Sequence, residues 1–249
     1  MEHDQDKEIQ QRVAAYQPSQ QALEGVKDVP LLFAVGISGA GKDTLLRRLI
    51  SRYPDDYSFL ITTTTRPLRK NNGVLEVDGV DYYFIDKPTA ERMLAEGAYV
   101  EVNYYAFNVY GASIAEIARG GQDHKILISD IDVNGIGNFV RLGMNVKPVF
   151  VLPPSYEVWR ERVQGRYGNT GNPKDLQKRL ATALSELEAA LHNDYYYLVI
   201  NDDLDKTAEL LNAIAHNKPV ERRDPQAVAL TKRLAADIAA ELVQPNVAR

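Results

Sequence analysis

The chain has 249 residues, 45% of them apolar and 25% charged, with a formal net charge of −5 and no cysteine. This length can bury a substantial core, the lack of cysteine excludes disulfides and thiolate metal centres, and the net charge argues against a general nucleic-acid binder. No apolar run approaches the ~20 residues of a membrane span and the polar start has no signal-peptide pattern, so a cytoplasmic protein with neither membrane nor nucleic-acid partners is expected.

In chain order, residues 1–29 are rich in Gln, Asp and Glu and read as a loosely ordered or helical extension. Strand patterns then fall at 31–35, 59–65, 82–85, 99–102, 125–129, 146–152 and 196–200. Helical patterns fall at 42–53, 88–96, 112–119, 135–142, 156–164, 173–192 and 205–216. This alternation predicts an α/β fold with largely parallel strands joined by right-handed crossovers. Ligands of such sheets lie beyond the carboxyl ends of the strands. The loop after Val35, the threonine run after Ile61 and the acidic pair after Ser129 occupy such ends. In residues 217–249, Asp224 and Pro225 open a helix, and Val228, Leu234, Ile238 and Leu242 form an apolar stripe. That stripe fits docking on its own domain or on a partner subunit, which makes a homodimer one expectation.

The apolar run 31–35 leads into Gly36, Ser38, Gly39, Ala40, Gly41, Lys42, Asp43 and Thr44. A strand, a glycine-rich turn, a lysine and a helix make a phosphate-cradling loop, in which backbone N–H groups curl around an anion at a helix N-terminus. Asp43 departs from the strict pattern, which has a hydroxyl residue after the lysine to reach Mg²⁺. Arg66, Arg69 and Lys70 form one basic cluster, and Arg160, Arg162 and Arg166 a second, with Lys178 and Arg179 nearby.

Thr62–Arg69, Glu76–Phe84, Tyr99–Glu101, Tyr110–Gly111, Ile128–Asp132 and Asn201–Asp205 follow the loop as an ordered series. The series resembles the guanylate kinase family from about Leu31 to His216. The resemblance implies a three-layer P-loop core with a mainly parallel sheet, an inserted GMP-binding lobe and a helical lid. Core segments would be about 30–61, 121–157 and 193–216, the lobe about 62–120 and the lid about 158–192, all within a domain at 30–216. It implies phosphoryl transfer from ATP to GMP or dGMP with Mg²⁺ as cofactor, where positioning and cations supply most of the catalysis.

By the same resemblance, Lys42 and the loop 36–44 hold ATP, and Asn201 lies near the adenine. Arg66 and Arg69 grip the monophosphate, with hydroxyls from Tyr82 and Tyr110. Glu101 accepts from the adjacent N–H groups of guanine, with Asp132 and the Thr62 hydroxyl on the base side. Arg162, Arg166 and Arg179 are lid arginines, and Thr44 and Asp130, the latter through water, serve the metal. Three departures stand out: Asp43, counted with the ATP-binding loop but favoured by a first helical turn, so that its plainest reading is a helix-stabilising residue turned away from the nucleotide; Ala112 in place of a hydroxyl residue; and an insertion of about four residues at 70–75. Two other readings share the fold, a ribose 1,5-bisphosphate phosphokinase and a non-catalytic guanylate kinase-like binding module. The first would lose the guanine acceptors and the second the glycine loop; this chain has both.

Overall fold

The structure is a computed structural model that describes residues 2–71, 73–167 and 173–243, with side chains described from residue 6 onward except at 71, 166, 167, 173 and 174. Helices α1 (Glu2–Ala14) and α2 (Gln20–Glu24) precede β1 (Leu31–Val35), and α3 (Lys42–Arg52) follows the glycine loop. Next come β2 (Tyr57–Phe59), β3 (Thr63–Thr64), β4 (Lys70–Asn71), β5 (Val74–Leu75), β6 (Tyr83–Phe84) and α4 (Lys87–Ala95). The hairpin β7 (Tyr99–Tyr105) and β8 (Asn108–Ser113) leads into α5 (Ile114–Gln122), β9 (Ile126–Asp130), α6 (Val133–Arg141) and β10 (Val146–Leu152). The chain closes with α7 (Tyr156–Tyr167), α8 (Pro173–His192), β11 (Tyr197–Ile200), α9 (Leu204–Ala215) and α10 (Pro225–Val243).

Two compact units result. The first comprises Met1–Leu31, Asp55–Ser129 and Asn134–Val146. In it β2 pairs in parallel with β9, and a four-stranded sheet runs β6-β3-β8-β7. The second comprises Leu32–Pro54, Asp130–Val133 and Lys147–Arg249, with its strands in the order β11-β10-β1. Every residue of β1 is buried, as expected of a parallel strand covered on both faces. The α/β class with a mainly parallel sheet is therefore the one observed.

Several local readings change. The expected strand at 59–65 is two short strands, β2 and β3, separated by Leu60–Thr62. The insertion at 70–75 is an antiparallel hairpin, Lys70 facing Leu75. The helix expected from 112 starts at Ile114, because β8 occupies Asn108–Ser113. Ser113 then caps the helix by accepting from the N–H of Glu116 at 3.2 Å, the start of a capping box. The β7–β8 turn has Ala106 and Phe107 at φ 48° and 64°, the left-handed pair of a tight hairpin that usually carries Asn-Gly.

Both extensions are helical and docked within their units. Ile9 of α1 is buried in a cluster with Ala90, Leu94, Tyr99 and Val109. Along α10, Leu230, Leu234 and Ile238 are buried, and the helix packs on α8. Of the expected apolar stripe, Leu234 and Ile238 are thus covered by the chain's own second unit, while Val228 and Leu242 are half-buried. At one end of this helix Arg223 donates to the carbonyls of Ala190, Leu191 and Asn193 at 3.0, 3.0 and 3.2 Å, capping the C-terminus of α8. At the other, Glu241 pairs with Arg160 at 2.6 Å and accepts the Tyr156 hydroxyl.

Candidate active site

The phosphate loop belongs to the second unit. After the buried strand β1 the backbone turns with Gly36 at φ 136° and Gly41 at φ 91°. A Cβ on Gly36 would stand 2.4 Å from the carbonyl oxygen of Val151, so no side chain fits there. Ile37 and Ala40 are buried anchors, and the Ala40 N–H bonds the Ile37 carbonyl at 3.0 Å. Gly41, in the left-handed region, is the N-cap of α3 and provides no side-chain cap. The first N–H groups of the helix therefore point out with the positive end of the dipole, a ready anion site.

Two side chains brace this loop from behind. Asn201, buried at the end of β11, donates to the Ala40 carbonyl at 3.0 Å. The indole N–H of Trp159 on α7 donates to the Ser38 carbonyl at 2.8 Å. Asn201 thus acts on the loop, where the sequence reading set it beside the adenine. Trp159 was not among the expected site residues, and only its being the single tryptophan marked it.

Lys42 donates to the Gly36 carbonyl, which holds its ammonium over the loop. Arg162 lies beside it, its Nη1 3.8 Å from where a Gly41 Cβ would be. Arg179 is exposed on α8. Arg166 lies on α7, and its side chain is outside the described residues. Asp43 turns along the helix surface to Arg47, with Nε 3.1 Å from each carboxylate oxygen, an exposed i,i+4 pair. Thr44, Asp130 and Asp132 are exposed. Asp130 closes β9, and the Ile131 N–H that follows bonds the Ala34 carbonyl at 3.1 Å. Among the described residues, no group of three or more His, Asp or Glu could hold a metal alone.

A carboxyl that the sequence did not announce joins this group. Burial on α8 pushes Glu186 up to about 7, opposed by the charge of Lys42 and reinforced by Asp132. The Tyr196 hydroxyl is buried, and burial first, then Tyr195, Asp132 and Glu186, holds its phenol above the usual range.

The first unit carries a separate constellation on its four-stranded sheet. Glu101 opposes Ala112 and Asn103 opposes Tyr110 across β7 and β8. Thr64 opposes Tyr110 and Phe84 opposes Thr64. Directly opposed residues share a face, as do residues two apart. Tyr82, Phe84, Thr64, Tyr110, Ala112 and Glu101 therefore line one face. The rings agree, with Tyr82 and Tyr110 centroids 6.2 Å apart. Thr62 precedes β3, its carbonyl accepting from Tyr83 N–H at 2.9 Å.

Arg66 is held over this face by an acid, Glu76, to which the sequence alone assigns no role. Glu76 takes the Nη1 and Nη2 ends of its guanidinium at 2.6 and 2.7 Å, and both side chains are buried, at 6% and 5% exposure. Nη1 also donates to the Pro67 carbonyl at 3.0 Å. The guanidinium carbon lies 4.9 Å from the Tyr82 ring centre, and the Glu76 hydrogen bonds hold the charge above even its usual range. With that end occupied, the Nε–Nη2 edge is the one with N–H groups left for an anion, a fork that suits phosphate. The same carboxylate accepts the Arg69 N–H at 2.8 Å, fixing the backbone from which the exposed Arg69 side chain reaches out.

A glycine-loop α/β fold with a buried arginine fork on a separate small sheet defines a P-loop phosphotransferase class. Comparisons narrow it: a sequence model described as guanylate kinase matches residues 30–218. The chain is 36% identical over 213 residues to a guanylate kinase of Zymomonas mobilis, covering 83% of this chain and 93% of the relative. It is 34% identical to the Sus scrofa enzyme of that name, covering 69% and 84%, and 33% to that of Homo sapiens, covering 72% and 89%. A solved guanylate kinase structure from Anaplasma phagocytophilum superposes with a TM-score of 0.54 at 24% identity, over 80% of this chain and 90% of that one. The chain belongs to the guanylate kinase family.

Proposed function

We propose that this protein transfers the terminal phosphoryl group of ATP to GMP, and to dGMP, giving the diphosphate and ADP. The observation that carries the reading is the shared sheet face in the first unit. It sets one carboxylate, Glu101, in the company of Tyr82, Tyr110 and the open edge of Arg66. A carboxylate accepts the paired N1–H and N2–H₂ donors of guanine, while the arginine edge, Arg69 and the two phenols take the phosphate. Thr62 stands beside this face, and Asp132 would add an acceptor on the base side.

The loop amides of 36–44 and Lys42 would hold the ATP phosphates, with Asn201 and Trp159 fixing the loop. Arg162, Arg166 and Arg179 would neutralise charge on the transferring group. Bound Mg²⁺ would supply neutralisation of phosphate charge. It commonly keeps several waters and needs few protein ligands, so the Thr44 hydroxyl and the Asp130 carboxylate fit it. No helix among the described residues is long and apolar enough to cross a membrane, and we place the protein in the cytoplasm.

A coupled ADP-release assay with GMP, AMP, UMP and ribose 1,5-bisphosphate tests the reading. GMP is expected to turn over fastest; turnover of the sugar bisphosphate with none of GMP would overturn it. Glu101→Gln is expected to raise the GMP KM more than tenfold, about 1.4 kcal/mol, with the ATP KM little changed. Equal effects on both would remove Glu101 from base reading. Asp43→Ser is expected to keep turnover within about tenfold, a barrier change of ~1.4 kcal/mol, because the carboxylate is engaged by Arg47. A greater loss would give the carboxylate a part in the reaction.

A further inference from the structure

We propose that Tyr16, in the segment preceding the family-matched residues, is a positioning residue for Glu101 and so sets discrimination for the 2-amino group of the purine monophosphate. This rests on the reading of Glu101 as the guanine acceptor. Strand β7 is the edge of its sheet, in the order β6-β3-β8-β7. On that edge the Tyr16 hydroxyl donates to the Tyr99 carbonyl at 2.7 Å and accepts from the Tyr99 N–H at 2.7 Å. One phenol thereby supplies both the donor and the acceptor that a residue of a further strand would have given.

Tyr99 is where the register slips. It opposes Ser113, while Glu101, two residues on, opposes Ala112, one residue back. The extra residue is Val100, and the irregularity is a β-bulge. In a regular strand residues two apart share a face. Here the bulge sends Tyr99 to the buried face, among Ile9, Ala90, Leu94 and Val109, and Glu101 to the face of Tyr110 and Ala112. Without it, either Tyr99 would leave the core or the Glu101 carboxylate would enter it. Bulges often re-aim a side chain beside a site, and the hydroxyl is bonded to the residue where this one begins.

The phenol is itself well held. Its ring meets the Tyr99 ring edge-on, with centroids 6.1 Å apart. Asp6 of the same segment pairs with Lys87 of α4 at 2.7 Å. Burial, the largest influence, pushes the Tyr16 phenol up to about 12, so it remains a neutral donor across the working pH range. A Cβ on Gly111, beside the bulge on β8, would meet the Tyr99 ring at 2.5 Å; that side of Tyr99 is filled as well.

The test compares GMP with inosine monophosphate, which lacks the 2-amino group, in steady-state kinetics of the full chain at saturating ATP. Tyr16→Phe keeps the ring and loses the bridge. It is expected to lower the GMP-to-inosine-monophosphate ratio of kcat/KM at least about fivefold, through the GMP KM, with the ATP KM unchanged. Ile9→Val thins the same apolar cluster and spares the hydroxyl; it is expected to lower the melting temperature and leave the ratio alone. An equal fall in both variants would make the effect one of general loosening and overturn the proposal. A ratio kept by Tyr16→Phe but lost by Glu101→Gln would overturn the role of Tyr16 alone. A ratio kept by Glu101→Gln as well would overturn both readings.

Discussion

Glu76→Ala is expected to lower folding stability by about 3–5 kcal/mol, because it strands the buried guanidinium of Arg66 without a counter-charge. Arg66 and Glu76 are 6% and 5% exposed, so water cannot replace the lost partner. A chain of this size loses roughly 2–4 °C of melting temperature per kcal/mol, so a fall of about 6–20 °C should appear in a thermal melt. GMP turnover should fall with it, since the guanidinium would no longer be fixed with its Nε–Nη2 edge outward. The double variant Arg66→Met, Glu76→Leu separates the two effects. Replacing a buried ion pair by apolar side chains of similar volume is often neutral, so stability should largely return. The unpaired Arg69 N–H, which bonds Glu76 at 2.8 Å in the native protein, would still cost about 1 kcal/mol. GMP turnover should stay lost. A double variant as unstable as Glu76→Ala would show that the buried charge is not the cause.

Glu186→Gln is expected to stabilise the protein at pH 8 by about 3 kcal/mol and to do almost nothing at pH 4.5. The sign follows from the direction of the shift. Burial raises the carboxyl from 4.5 to about 7 against the pull of Lys42, so the folded protein holds this proton more tightly than the unfolded chain. Between about 4.5 and 7 the folded state binds more protons, and rising pH therefore erodes stability across that window. Above it the ionised carboxylate is a fixed burden, which the amide of glutamine does not carry. Melting temperatures of the two proteins should coincide near pH 4.5 and separate by roughly 6–12 °C at pH 8. A constant offset across the range would mean that the Glu186 charge is not what the variant removes. The groups around it act in the expected sense, Asp132 adding to the repulsion and Lys42 relieving it.

The parts legible in the sequence are those in which local chemistry and tertiary role coincide. Leu31–Val35 reads as a buried strand because all five side chains are apolar, and the glycines that follow are ones whose backbone angles or neighbours admit little else. The 20 residues of α8 begin and end at the expected positions, since Pro173 opens the helix and the apolar spacing runs unbroken. Strand β8 was missed because its turn is made by Ala106 and Phe107 in left-handed backbone, two residues that carry no turn signal. Glu76 could not be read as the partner of Arg66, nor Glu186 as a carboxyl raised by burial, because both depend on contacts and burial made across the fold. Tyr16 was hidden for the same reason, 83 residues from the strand that it bridges. Asp43 is the converse case: its partner Arg47 lies one helical turn away, and spacing alone explains why it faces sideways.

The helix α10 changes where this protein ends as a foldable object. The family match stops at residue 218, yet Arg223 satisfies three carbonyls at the end of α8 and the Arg222 carbonyl accepts the N–H of Leu198 on β11 at 2.9 Å. Glu241 then clasps Arg160 and Tyr156 at the start of α7. A fragment trimmed to the family boundary would keep every residue proposed to meet the substrates and still leave α7 and α8 without their fastening. The family-matched segment and the length of chain that fastens α7 and α8 thus differ, and excisions of this protein should follow the second.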